Sequence, residues 1–130
     1  MLLFGHPYVP SAPFYHIDSI EALAHTPANS VVALYFSAEN LDILAHLRLN
    51  GVRFALHVDN PTDAVISENL GASYLIVLPK NAPEIQKVAE HYLFDAKVLG
   101  FIDHERHLGD AIEMRLDGAI FPDAIIKITS

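Results

Sequence analysis

Runs of apolar, β-branched residues recur along the chain about two dozen residues apart, and amphipathic segments separate them. The runs are VVALYF (31–36), VRFALHV (52–58), SYLIVL (73–78), KVLGFI (97–102) and AIF (119–121). Near-continuous apolar strands are typical of parallel sheets that are covered on both faces. The pattern therefore predicts parallel strands joined by crossover helices.

The helical pattern is clearest in the segment NAPEIQKVAEHYLFD (81–95), whose residues 85, 88, 89, 92 and 93 fall on one helical face. Four polar residues are predicted to cap helix N-termini: Asp18, Ser37, Asn60 and Asn81. Four residues are predicted to end helices in a left-handed conformation: Gly51, Gly71, Gly118 and, in place of glycine, Asp95. These boundaries predict short connections between alternating strands and helices.

This alternation predicts an α/β fold with an open, mostly parallel sheet of five or six strands and helices on both faces, similar to Rossmann and flavodoxin-like domains. The alternative is half of a (β/α)8 barrel that dimerises, because a complete barrel typically needs roughly 250 residues and the chain has 130. FYHI (14–17) adds a strand, and AIIKI (124–128) extends the last strand or forms an edge strand. We assign residues 1–13 to an extended N-terminal arm and residues 14–130 to a single domain.

Composition narrows the possible partners. The hydrophobic fraction is 52% and only 18% of residues are charged, so excess apolar surface predicts self-association as a homodimer or larger assembly. The formal net charge of −8 repels phosphate backbones and argues against nucleic acid as a partner. No apolar run is long enough to predict a membrane span. The absence of cysteine is typical of a cytoplasmic protein.

Candidate chemistry lies where the predicted strands end. Ligands of open α/β sheets bind beyond the carboxyl ends of the strands. Six residues at those ends are predicted to hold a small polar ligand: His16, Asp18, His57, Asp59, Asp103 and His104. Helix N-termini begin at the same edge and favour the same residue types as caps, so a purely structural role for these residues stays open.

Three functions remain open from the sequence. The first is a small-ligand-binding or regulatory module without covalent chemistry. The second is a metal-assisted hydrolase or lyase that uses His57, Asp59, Asp103 and His104 as ligands or proton carriers. The third is a structural oligomerisation subunit. No cofactor is assigned, because none of the six glycines forms a glycine-rich turn between a strand and a helix, as nucleotide sites require.

Overall fold

The computed structural model describes residues 1–128 and contains one sheet of eight parallel strands. The strands are β1 (Leu2–Phe4), β2 (Phe14–His16), β3 (Val31–Tyr35), β4 (Phe54–His57), β5 (Tyr74–Val77), β6 (Lys97–Phe101), β7 (Gly118–Ile120) and β8 (Ile125–Lys127). Their order across the sheet is β1-β7-β6-β5-β4-β3-β2-β8, and every neighbouring pair is parallel. The predicted α/β class and the parallel sheet are confirmed.

The predicted count of five or six strands was wrong, because the short edge strand β1 was not recognised and β8 was predicted only as one of two alternatives for AIIKI (124–128). β1 lies inside the segment assigned to the N-terminal arm and pairs with β7. β8 is separated from β7 by a 3-10 turn that starts at Pro122, and it pairs with β2 at the opposite edge. The division into residues 1–13 and 14–130 stays a prediction.

Helices connect the central strands. They are α1 (Leu41–Leu49), α2 (Pro61–Asn69), α3 (Ala82–His91) and α4 (Leu108–Glu113), and short 3-10 helices cover Glu21–His25, Ala38–Asn40, Glu105–His107 and Pro122–Ala124. Within residues 1–128, none of these helices combines the length and the apolar character that crossing a membrane would require.

Three aromatic rings show that the sheet curls strongly. Phe4 and Phe14 lie on β1 and β2, which stand first and seventh across the sheet. A flat sheet would separate such strands by about 29 Å, at about 4.8 Å per strand. Their ring centroids are instead 5.0 Å apart, and both rings contact Tyr74 of β5, at 5.6 and 5.0 Å. The strands therefore wrap around a common interior.

The two faces of the curled sheet form separate cores. The α-helices pack against the outer face, where Leu34, Leu56 and Leu75 lie in one core with Leu44 and Ile85. The inner core consists of strand side chains together with Ala124 of the 3-10 helix Pro122–Ala124. Its members are Phe14, Val31, Ala33, Ala55, Ile76, Leu99, Ile120 and Ala124, with Phe4, Tyr74, Phe101 and Ile125 beside them. The curled half-barrel alternative therefore describes the sheet. The prediction of helices on both faces was wrong: within residues 1–128 the α-helices lie on the outer face, because the curl fills the inner face with side chains of the sheet.

The caps follow the sequence predictions in part. The Asn60 Oδ1 accepts a hydrogen bond from the Asp63 N–H at 2.9 Å, and Ser37 caps the Ala38–Asn40 turn in the same way. Asn81 makes no side-chain cap bond. The predicted cap Asp18 was wrong, because the hydroxyl of neighbouring Ser19 accepts the Ala22 N–H.

Left-handed residues end the helices, but two of the predicted positions shift. Gly51 and Gly71 have positive φ, as predicted. At the end of α3 the left-handed residue is Leu93 rather than Asp95, and after α4 it is Arg115 rather than Gly118. Gly118 instead begins β7, where close contact with β1, rather than backbone torsion, requires the absence of a side chain.

Candidate functional site

Five side chains share the inner face at the end where the parallel strands terminate. Side chains along a strand alternate between faces, and each of the five lies two residues beyond an inner-core residue: Phe14, Ala33, Ala55, Ile76 or Leu99. We call this row the mouth, and its members are His16, Tyr35, His57, Leu78 and Phe101. The mouth is thus the opening of the curled interior at the edge that the sequence predicted for a ligand site.

Three rings from adjacent strands form one side of the mouth. Tyr35 and His57 are stacked, with centroids 4.5 Å apart and ring planes 30° apart. The His16 ring lies edge-on to both, 5.3 Å from Tyr35 and 6.0 Å from His57. Tyr35 remains 59% exposed, so one of its faces or edges is open to a further planar group.

A cavity of about 170 Å³ opens beside this cluster. Its lining includes Tyr35 and His57 on the side of β3 and β4, Leu78 and Phe101 on the side of β5 and β6, and buried Ile76. An apolar cavity of about 150 Å³ is large enough to bind benzene. The mouth can therefore hold one six-membered ring with a small polar substituent.

His57 is uncharged at neutral pH. Burial and, to a smaller extent, the nearby His16 lower its pKa from the ordinary 6.5 to about 4, against the opposing effect of the Asp59 carboxylate. A neutral imidazole offers one hydrogen-bond donor and one acceptor. No hydrogen bond within residues 1–128 occupies the ring nitrogens of His57, so both are available to a ligand.

The imidazole of His16 is also uncharged at neutral pH, and burial is again the main cause. Its pKa is lowered by burial first and then by the charge of Lys127, while Asp18 raises it. Lys127 stands opposite His16 in the pairing of β2 with β8. His57 thus presents an uncharged polar edge to the cavity, and His16 lies behind it against the rings of Tyr35 and His57. Asp18 and Asp59, the two predicted carboxylates, act on these histidines through charge.

The remaining two predicted residues lie in a different group, beyond β6. The His104 Nδ1 accepts the Arg106 N–H at 3.0 Å and so caps the Glu105–His107 turn. Asp103 Oδ1 lies 3.6 Å from His107 Nε2. The six predicted residues therefore separate into four at β2 and β4 and two after β6.

His6, which the sequence did not single out, lies beside this second group. Its Nε2 is 2.9 Å from Glu105 Oε2, and its Nδ1 accepts the Tyr8 N–H. These residues line a cavity of about 350 Å³ together with Asp103 and His104. Because both ring nitrogens of His6 are already bonded, the ring holds the segment after β1 in place.

A metal site is not assembled among the described residues. Within positions 1–128, no three His, Asp or Glu side chains are grouped so that they can hold a metal ion. His57 ends β4 and Asp59 follows it, while Asp103 and His104 follow β6, and β5 stands between these strands in the sheet. The four residues proposed for a metal-assisted reaction therefore form two pairs on strands that are not neighbours in the sheet.

Tyr35, Leu78 and Phe101 were missed because they belong to apolar runs and resemble core residues in the sequence. One signal in the sequence could have identified them, namely the alternation of side chains between the two faces of a strand. A residue two positions beyond a small inner residue such as Ala33 or Ala55 must reach the same face near the strand end.

The buried neutral state of His57 predicts that acid destabilises the protein. The unfolded chain binds a proton at this site as the pH falls below about 6.5, whereas the folded protein binds it only near pH 4. The free energy of unfolding should therefore fall between these two pH values and then level off. Urea denaturation of His57→Gln at several pH values should show a flatter profile over this interval.

His25→Gln is the matched control for this measurement, because His25 is exposed on a surface turn. It should leave the wild-type profile unchanged. A wild-type profile that His57→Gln does not alter would show that another group causes the acid sensitivity.

The chain matches no protein family model and shows no significant similarity to any curated protein. Its function is therefore argued from the geometry and chemistry of the mouth.

Proposed function

We propose that this protein binds a small, uncharged, planar molecule in the mouth, as a ligand-binding or regulatory module. The observation that carries the proposal is the cluster of His16, Tyr35 and His57 beside a ring-sized, mostly apolar cavity whose lining also includes Asp59. Small-molecule sites typically combine an apolar lining with a few convergent polar groups.

The chemistry of the mouth supports an uncharged ligand. The two imidazoles are neutral at pH 7.5, since the pKa of each is lowered, and a neutral imidazole does not attract an anion as a charged one does. Asp18 and Asp59 add negative charge beside them. A planar group with both a donor and an acceptor, such as a primary amide on a ring, complements the stacked rings and the free ring nitrogens.

Benzamide provides a direct probe of this proposal. We expect it to bind with a Kd on the order of 1 mM. Two-dimensional NMR should detect the binding, with the largest chemical-shift changes at residues 35, 57, 76 and 101. Tyr35→Ala should weaken binding by about two- to tenfold, because an aromatic contact contributes about 0.5–1.5 kcal/mol. Benzoate should bind more weakly than benzamide at pH 7.5.

Tyr92→Ala is the matched control, because Tyr92 is 68% exposed at the end of α3, outside the mouth. It should bind benzamide as the wild type does. Shift changes scattered over the surface, or equal affinity in Tyr35→Ala and the wild type, would contradict the proposal.

No structural observation favours the metal-assisted hydrolase or the structural subunit over ligand binding. Self-association and a cytoplasmic location stay predictions.

A further inference from the structure

We propose that the ligand of the mouth carries an apolar chain that crosses Leu78 and Phe101 and lies in a second cavity beside α4. This inference rests on the proposed function and names the class of ligand: an uncharged ring with a short alkyl substituent.

The second cavity has a volume of about 410 Å³ and adjoins the mouth. Leu78 and Phe101 line both cavities. Leu78 follows β5 and Phe101 ends β6, and these strands are neighbours in the sheet. The two cavities therefore meet across the tips of two adjacent strands, and one molecule can occupy both.

The lining of the second cavity suits an alkyl chain. Beyond the two shared residues, Pro79, Ile102 and Met114 contribute apolar surface. Met114 lies at the end of α4 and packs against the outer core. A chain that starts in the mouth thus passes from the inner face over the strand tips towards this helix, and it removes apolar surface from water along its length.

The polar residues of the second cavity argue against a chain that ends in a carboxylate. His107 lies between two carboxylates, with Nε2 3.6 Å from Asp103 Oδ1 and Nδ1 3.7 Å from Asp110 Oδ2. All three residues line the cavity. Arg106 Nε lies 3.3 Å from the same His107 Nε2, but Arg106 does not line the cavity. A chain that ends in a carboxylate would therefore meet two like charges in the lining, whereas an uncharged chain would not.

Three probes that share the same ring test this inference: benzamide, N-butylbenzamide and 4-(benzoylamino)butanoic acid. A fully buried methylene strengthens binding by about fourfold, so a half-buried butyl chain should lower the Kd on the order of tenfold relative to benzamide. The acid should bind no more tightly than benzamide. Nuclear Overhauser contacts should join the butyl protons to the Met114 methyl group.

Met114→Gln keeps the length of the side chain but removes its apolar surface, and it should reduce the gain from the butyl chain to about threefold or less. Benzamide affinity should be unchanged in this variant, which also verifies that the mouth is intact. Ile112→Gln is the control, because Ile112 lies on the same helix, is 58% exposed and does not line the cavity.

The outcomes separate the two proposals. If benzamide binds in the mouth and the butyl chain adds nothing, or adds as much in Met114→Gln as in the wild type, the second cavity is not a chain site and only the proposed function stands. If benzamide does not bind in the mouth, the proposed function fails and this inference fails with it.

Discussion

Replacing Phe14 with alanine should lower the free energy of unfolding by about 3–5 kcal/mol, the usual range for removing a buried phenylalanine. Phe14 is 1% exposed, and its ring contacts the rings of Phe4 and Tyr74 inside the curled sheet. The alanine leaves a cavity at the point where strands from distant positions in the sheet meet. Urea denaturation measures the loss, and the melting temperature should fall by about 10–20 °C.

Tyr8→Ala is the matched control, since Tyr8 is 87% exposed, and its effect should stay within about 0.5 kcal/mol. A double-mutant cycle of Phe4→Ala and Phe14→Ala then tests the curl. Rings in contact should give a coupling energy of about 0.5–1.5 kcal/mol. Additive effects would show that the two rings are apart and that the sheet is open.

Replacing Gly118 with alanine should detach β1 from the sheet and cost about 3 kcal/mol, at the upper end of the range for overpacked sites. An added Cβ would lie 2.6 Å from the Leu2 carbonyl oxygen and 2.7 Å from the Leu99 Cδ2. The backbone of β1 must move, because β1 is an edge strand and, among the strands of residues 1–128, only β7 pairs with it. Hydrogen exchange should show lost protection in Leu2–Phe4 and little change in β3 to β5.

Gly109→Ala is the corresponding control. A Cβ at Gly109 would meet nothing within 4 Å, and the residue lies within α4, so alanine should be neutral or stabilising by up to about 1 kcal/mol. If Gly118→Ala keeps full protection of β1, the close contact between β1 and β7 is not as tight as described.

The sequence predicted the α/β class and the parallel direction because the central strands and helices are long enough to show a period. The strand count was missed where that signal is weakest. Prolines between Phe4 and Phe14 separate the three-residue β1 from the rest of the sheet and hide it. β8 follows directly after a proline turn, so AIIKI could equally be an extension of β7. The curled sheet was predicted only as the half-barrel alternative to an open sheet. Both faces of the strands are apolar, so the local sequence pattern does not distinguish an inner face from an outer one.

The sequence predicted where the candidate site lies but not all of the residues that form it. His16 and His57 stand out as polar residues at the ends of apolar runs, and the rule for parallel sheets places them at one edge. Tyr35 does not stand out, since it lies within VVALYF, although it joins the two histidines in space. The separation of Asp103 and His104 from the other four residues depends on strand order, which no local pattern reveals.

The pairing of β1 with β7 has a consequence for how the protein is made. A ribosome produces Leu2–Phe4 well before their partners Gly118–Ile120, because five other strands lie between them in the chain. During translation β1 therefore waits without a partner, as an apolar segment that chaperones or other nascent chains can bind. Among the strand pairings of residues 1–128, that of β1 with β7 joins the most distant segments of the chain, so it costs the most loop-closure entropy and is expected to form late in folding.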